Sequence, residues 1–256
     1  MVAAIVLAGG SPATDELLRI LRVGAKSLLK IGDKEMVRYV VDALLGSGRV
    51  ERLIIFGLEP DSLPGLVPAG FPVEFIPNQP DVVAGVLIAL ERLADEKRVL
   101  ICSADIPLLT SEAVVDFLDR CERLDIDVGY PIVERSVMEA RFPGSGRSYR
   151  ALRDGSFAGG DMFWVNPRLA MANRDMASQL VAARKSGFRV VRMFGLKMIL
   201  RYLTRRLTIA EAEKKAARIF NCRCKAIISQ YPEIGMDVDK LHQYQMVRTV
   251  LEGARA

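Results

Sequence analysis

Four short stretches of this 256-residue chain carry residues able to handle phosphate and metal. The first is Leu7-Ala8-Gly9-Gly10, directly after an apolar run. Two glycines let the backbone come close to a ligand at positive φ, and successive N–H groups in such a turn form a concavity for an anion. The second is Lys26, in Lys26-Ser27-Leu28-Leu29, a mobile point cation that can reach back toward that turn. The third is Asp105, in Ser103-Ala104-Asp105-Ile106-Pro107-Leu108. Magnesium takes one or two carboxylates and completes its shell with substrate phosphates, so a lone aspartate at a strand end suits it. The fourth is Gly235-Met236-Asp237-Val238-Asp239-Lys240. Two aspartates one residue apart in an extended segment point the same way, and either can supply a second carboxylate. Taken singly, each has an ordinary reading: a tight turn, a surface lysine, a turn aspartate, a helix cap by Asp239.

The scaffold that must hold them alternates strand and helix. Val2–Leu7, Leu53–Phe56, Val73–Ile76, Val99–Cys102 and Val128–Val133 are apolar runs, as strands buried on both faces are. Between them Met36–Leu45, Val82–Leu93 and a segment running to about Leu124 have helical spacing, the last capped by Thr110 or Ser111. The alternation predicts an α/β fold: a mostly parallel, Rossmann-like sheet with helices on both faces. Right-handed crossovers then align the strand C-termini along one edge, where such sheets bind ligands. The second half is less regular. Asp154-Gly155 within Arg150–Phe157 predicts a hairpin, and Phe163–Val165 a strand. Helices are expected over about Leu169–Ser186, Leu196–Thr204 and Ile209–Phe220, the last opened by a capping box of Thr208 and Glu211. Ala226–Ser229 returns to the sheet and Leu241–Glu252 closes the chain. The expectation is one domain over 1–256 with a small helical lobe at about 167–222. Arg201, Arg205 and Arg206 on or near a basic helix of that lobe suit either a solvated face or an anionic substrate.

Totals remove several classes. Half of the residues are hydrophobic and the formal net charge is +5, with no polybasic run. That balance suits an enzyme for phosphorylated substrates, and no nucleic-acid partner is expected. Neither G-x-x-x-x-G-K-[ST] nor G-x-G-x-x-G occurs, so this is no Walker A loop and no dinucleotide fingerprint. Cys102, Cys121, Cys222 and Cys224 form no C-x-x-C pair, which speaks for reduced thiols rather than a zinc ribbon. The single histidine, His242, argues against a Ser-His-Asp hydrolase and a histidine-rich metal site. No apolar run approaches the ~18 residues of a membrane span, and the cytoplasm is the expected location.

In their order, Leu7-Ala8-Gly9-Gly10, Lys26-Ser27-Leu28-Leu29, Ser103-Ala104-Asp105-Ile106-Pro107-Leu108 and Asp237-Val238-Asp239-Lys240 resemble the nucleotidyltransferases related to molybdenum-cofactor guanylyltransferase. Sugar-phosphate nucleotidyltransferases and small-molecule cytidylyltransferases are similar too. The likeness runs from the first strand to the last helix and implies a sheet of the nucleotide-diphospho-sugar transferase (GT-A) type. It implies that Leu7, Ala8, Gly9 and Gly10 meet the nucleotide with their backbone and that Lys26 binds the NTP phosphates. Asp105 becomes a Mg²⁺ ligand, with Asp237 as the second and Asp239 as its substitute. Asn78, in Asn78-Gln79-Pro80-Asp81, and Gly85 resemble the base-recognition segment. Gly160 and Asp161, closing Phe157-Ala158-Gly159-Gly160-Asp161, resemble an acceptor-side loop. One departure stands out. Fifteen residues, Ser11 to Ala25, separate Gly10 from Lys26, where the family has an Arg, a Gly and then the Lys in quick succession. Arg19 or Arg22 could supply the cation from a partly helical stretch that could also act as a lid.

The implied reaction is displacement at the α-phosphorus of an NTP, GTP or CTP foremost. The attacking oxygen belongs to a small phosphorylated acceptor, and pyrophosphate leaves. Lys26, Asp105 and Asp237 are the expected catalytic residues, working by position and charge rather than covalent chemistry. A phosphate acceptor needs no general base. Two other classes fit the motifs: a glycosyltransferase of similar fold using a nucleotide-sugar donor at an Asp-x-Asp metal site, and a nucleotide-binding regulator without catalysis.

Overall fold

A computed structural model of the chain describes residues 1–9, 17, 21, 24–79, 82–176 and 193–253. The first half lays down β1 (Val2–Leu7), a small separate hairpin of β2 (Lys30–Ile31) and β3 (Lys34–Glu35), then α1 (Met36–Gly46). β4 (Val50–Phe56), β5 (Val73–Ile76), α2 (Val82–Arg92), β6 (Val99–Ser103) and α3 (Ser111–Arg123) follow. β5, β4, β1 and β6 lie side by side, all parallel. Their unbroken apolar character has a cause on each face. Val2, Ala4 and Val6 of β1 pack on one side against Val37, Val41 and Leu44 of α1 and Val114 and Phe117 of α3. Ala3 and Ile5 pack on the other against Ala89 and Leu90 of α2. A strand with no polar face can be stable only in such a sandwich.

The second half crosses over. β7 (Val128–Glu134) leads into α4 (Arg135–Arg141), then β8 (Arg150–Leu152), β9 (Gly155–Gly159) and β10 (Met162–Val165). After α5 (Pro167–Ala172) come α6 (Leu196–Leu203), α7 (Ile209–Phe220), β11 (Cys224–Ser229) and α8 (Leu241–Gly253). β9 and β10 are one run of chain that changes partners at Gly160-Asp161. β10 pairs antiparallel with β6 and the start of β7, whereas β9 pairs antiparallel with the end of β7 and with β8. β11 runs parallel along the other edge of β7. The result is a mixed, mostly parallel sheet flanked by helices, the nucleotide-diphospho-sugar transferase architecture.

The expected elements are present, with differences at their ends. The helix anticipated over Leu169–Ser186 starts two residues early, because the Asn166 side chain accepts from the Leu169 N–H at 3.3 Å and Pro167 fits the first turn. It breaks at Asn173, and the rest of that range from 177 onward lies outside the described residues. α4 was not anticipated: it is short and no side chain caps its start. Thr110 caps α3, and the capping box of Thr208 and Glu211 opens α7. Among the described residues, no helix is long and apolar enough to cross a membrane.

Candidate active site

The C-terminal ends of the parallel strands are stitched to one another rather than left to fray. The Ala8 N–H donates to the Phe56 carbonyl at 2.8 Å, Gly57 N–H to Ile76 at 2.8 Å, and Ala104 N–H to Leu7 at 3.0 Å. Leu7 and Ala8 therefore spend main-chain groups on the scaffold. Gly9 comes next, so close to Asn78 that a Cβ there would sit 2.7 Å from its Oδ1. Gly57, at φ +98°, lies directly against the Gly9 backbone, and Gly85 in α2 lies against the Phe56 ring; a Cβ at either would overlap those atoms. The expected base-recognition residues Asn78 and Gly85 thus flank the glycine turn. Gly10, Arg19, Arg22, Pro80 and Asp81 lie outside the described residues.

Lys26 opens a 3-10 turn, Lys26–Leu28, fixed to the same edge by its neighbour. The buried Ser27 hydroxyl donates to the Ala8 carbonyl at 2.6 Å. Lys26 is thereby brought in front of β1 and β6, its side chain 12% exposed. Its Nζ donates to Asp105 Oδ2 at 2.8 Å and also to Asp239. Burial pulls the Lys26 pKa down, but Asp105 and Asp239 outweigh it and hold the ammonium above its ordinary value. Ser103 Oγ donates to the other Asp105 oxygen at 2.5 Å, and the Val238 N–H donates to the Asp105 carbonyl at 3.0 Å, which pins the distant Asp239 loop to this strand end.

Asp237 and Asp239 do not point the same way. No strand carries them: they follow a 3-10 turn, Pro232–Gly235, and their side chains diverge. Asp239 takes Lys26, whereas Asp237 takes Arg147. Nor does Asp239 cap α8; the buried Gln243 side chain accepts from the Asp239 and Lys240 N–H groups at 3.0 and 2.9 Å instead. Arg147, 13% exposed, also donates to the Gly159 carbonyl at 3.2 Å and lies 3.7 Å from Asp161, beyond hydrogen-bond reach. Arg147 Nε and Asp161 Oδ2 are both buried with no hydrogen-bond partner among the described residues. Burial first, and then the neighbouring Asp105 charge, push the Asp161 carboxyl up to about 7 against the relief from Arg147. Asp161 is held at its main chain by Ile234 and Ser103 (3.0 and 2.9 Å), and the Gly160 N–H by Pro131 (2.9 Å).

The site therefore has two adjoining parts: Gly9, Asn78, Gly85, Lys26, Asp105 and Asp239 on the parallel side, and Asp161, Arg147 and Asp237 where the sheet changes direction. Arg147 was missed in the sequence, where it follows Gly144-Ser145-Gly146 and reads as a loop cation. Gly57 was missed too, although a glycine at a strand end was the available signal. Arg201 pairs with Glu211 at 3.0 Å, and Arg205 and Arg206 are exposed; none of the three joins the site. The donor chemistry fits magnesium. Asp105 and Asp239 flank a single cation, and two carboxylates are a number magnesium takes when substrate phosphates complete its shell.

A model of the MobA-like NTP transferase domain matches residues 4–218. A hypothetical transferase from Thermus thermophilus is 36% identical, covering 95% of this chain and 99% of its own, with a TM-score of 0.83. The 4-diphosphocytidyl-2C-methyl-D-erythritol synthase of Anaerococcus prevotii is 10% identical over 98% of both chains, TM-score 0.62. CMP:2-keto-3-deoxy-manno-octonic acid synthetase complexed with CTP is 13% identical over 99% of this chain and 100% of its own, TM-score 0.58. At such identity the last two speak for the fold alone. No curated protein matches the chain.

Proposed function

The chain belongs to the MobA-like NTP transferase domain family and is a nucleotidyltransferase; from that premise we propose that it moves NMP from an NTP to a small phosphorylated acceptor in a magnesium-dependent reaction. The observation that carries this reading is Lys26 set between Asp105 and Asp239 beside the Gly9 turn. Those groups are what a nucleoside triphosphate needs: a close backbone, a mobile cation for the phosphates, and two hard oxygen ligands.

Asp105 and Asp239 would hold Mg²⁺, with Asp237 reserved for orienting Arg147. Bound there, the ion supplies charge neutralisation at the α-phosphate. Lys26 leaves its two carboxylates for the β- and γ-phosphates and draws off charge as pyrophosphate forms. Asn78 and Gly85 border the base. Arg147 faces the acceptor phosphate with its spare Nε. An acceptor oxygen then forms the new bond to the α-phosphorus while the α–β bridging bond breaks, its electron pair leaving on pyrophosphate. No proton need be removed from a phosphate nucleophile. The stretch over about 167–222 acts as a lobe of the same domain, with α7 over the acceptor side.

CTP and GTP are the first donors to try, CTP because a structural neighbour was solved with it. In a thermal-shift screen of the four NTPs, at least one raises Tm, and Mg²⁺ enlarges the rise. The same NTP then releases pyrophosphate in the presence of a phosphorylated acceptor. Stabilisation by none of the four, or release of free nucleoside diphosphate from a nucleotide sugar instead, would sink the reading.

A further inference from the structure

Beyond Arg147 the molecule holds a cavity of about 570 Å³, bounded by β7, β9 and β11 on one side and α7 on the other. It opens to solvent, and a concave, largely apolar space of this size is of the kind that takes a small ligand. The helix supplies part of it. Ile209, Ala212, Ala216 and Phe220 recur at helical spacing on one face of α7 and line the cavity, yet no residue of α7 is fully buried. An amphipathic helix normally gains its stability by pressing that face onto its neighbour. Polar contacts help to hold this one. Thr208 and Glu211 cap its start, Asp154 accepts from the Ile209 N–H at 2.6 Å, and Glu213 binds Lys225 at 2.7 Å and the Ala226 N–H at 3.0 Å. α7 thus turns the apolar face of Ile209, Ala212, Ala216 and Phe220 toward the cavity.

The sheet side is apolar at its centre, with Val128, Ile132, Phe157 and Ala158, and carries polar groups, Ser148 and Arg150, toward β8. The charges along the middle cancel, since Glu213 and Lys225 satisfy each other. At one end, Arg147 Nε and Asp161 Oδ2 are buried with no hydrogen-bond partner among the described residues, and Asp161 adjoins Asp105.

We infer that the acceptor is an amphiphile, a phosphate carried on an apolar organic body, with the phosphate at Arg147 and the body in the cavity beneath α7. The inference rests on the nucleotidyltransferase reading and narrows its acceptor. A bare sugar phosphate would bring a ring of hydroxyls against the apolar centre formed by Val128, Ile132, Phe157 and the α7 face, and each hydroxyl stripped of water without a partner disfavours binding. An aliphatic or flat aromatic body meets Tyr130, Phe157 and the underside of α7 with no such penalty.

The test uses the full chain and octyl phosphate, below its micelle concentration, as the probe. Inorganic phosphate and glucose 1-phosphate are the comparators, with affinities read by calorimetry. Octyl phosphate should bind at least tenfold more tightly than either. Ala216→Trp, which fills the cavity, should remove that advantage while leaving inorganic phosphate binding and the NTP-dependent Tm rise in place. Ala212→Leu serves the same purpose with a smaller intrusion should the tryptophan variant not fold. Glucose 1-phosphate binding as tightly as octyl phosphate, or octyl phosphate binding untouched by a folded cavity-filling variant, overturns the inference. A normal NTP-dependent Tm rise alongside that result would leave the nucleotidyltransferase reading standing; its absence beside tight, cavity-dependent octyl phosphate binding would leave the amphiphile site standing and remove the nucleotide.

Discussion

At the ends of β1 and β4 a methyl group added to Gly57 or Gly85 has nowhere to go, whereas beneath α7 the side chains of Ala212 and Ala216 face open space. The two regions adjoin at Asp161, yet they are packed by opposite rules. On the parallel side, backbone meets backbone and ring, and the hydrogen bonds of Ala8, Gly57 and Ala104 leave little freedom. Beside Asp161, α7 meets β11 along one edge and leaves a cavity under its Ala212 and Ala216. A nucleotide presents the same triphosphate every time and rewards a rigid, pre-set edge. An acceptor has to be selected by shape, and shape is selected by a space left to be filled.

The sharpest way to test that division is at the chemistry itself. Asp105→Ala should lower the rate of pyrophosphate release at saturating Mg²⁺ by at least about 10³-fold, several kcal/mol of charge stabilisation, with the circular dichroism spectrum unchanged. Near-normal turnover would move the reaction away from the parallel edge. Packing gives the next largest contrast. Gly85→Ala forces a Cβ onto Phe56 and should cost about 2–3 kcal/mol in urea denaturation. Ala216→Leu adds more atoms yet should be neutral or stabilise by about 0.5–1 kcal/mol, because it enters a void. Equal costs at the two positions would erase the distinction.

A smaller effect should appear at the junction. In the free protein, Asp161 keeps its proton to about pH 7 when folded and loses it near the ordinary value of 3.8 when unfolded. Between those values the folded state holds more protons, so stability falls as pH rises. From pH 6 to pH 8 the wild type should lose about 1.4 kcal/mol relative to Asp161→Asn, a tenfold change in the folding equilibrium. Parallel pH profiles for the two proteins would show that Asp161 ionises normally and that the junction is wetter than its burial suggests.

Much of the parallel half was legible in the sequence, because buried strands announce themselves. Val2–Leu7 and Val73–Ile76 have the predicted bounds, and Ile209–Phe220 was marked by its capping box. α4 was hidden by its brevity and its charged sequence. The candidate site was legible where one residue type met one position. Lys26, Asp105 and the glycine turn could be placed because strand ends gather on one edge. The choice between Asp237 and Asp239 was not legible, since side-chain alternation is a property of strands and that segment is not one. Arg147 was invisible for a related reason. Its importance comes from the fold delivering it, 42 residues downstream of Asp105, to the far side of Asp161, and no local pattern encodes that meeting.

The position of Lys26 bears on how a donor would be received. Its ammonium, seated on Asp105 and Asp239, is a built-in counter-ion that offsets half of their charge. On the proposed reading, a stray divalent ion must evict that ammonium before it can settle, and alone it offers the lysine nothing in exchange. A polyphosphate does, by giving the lysine new anions to follow. Donor and metal are then expected to arrive as one species.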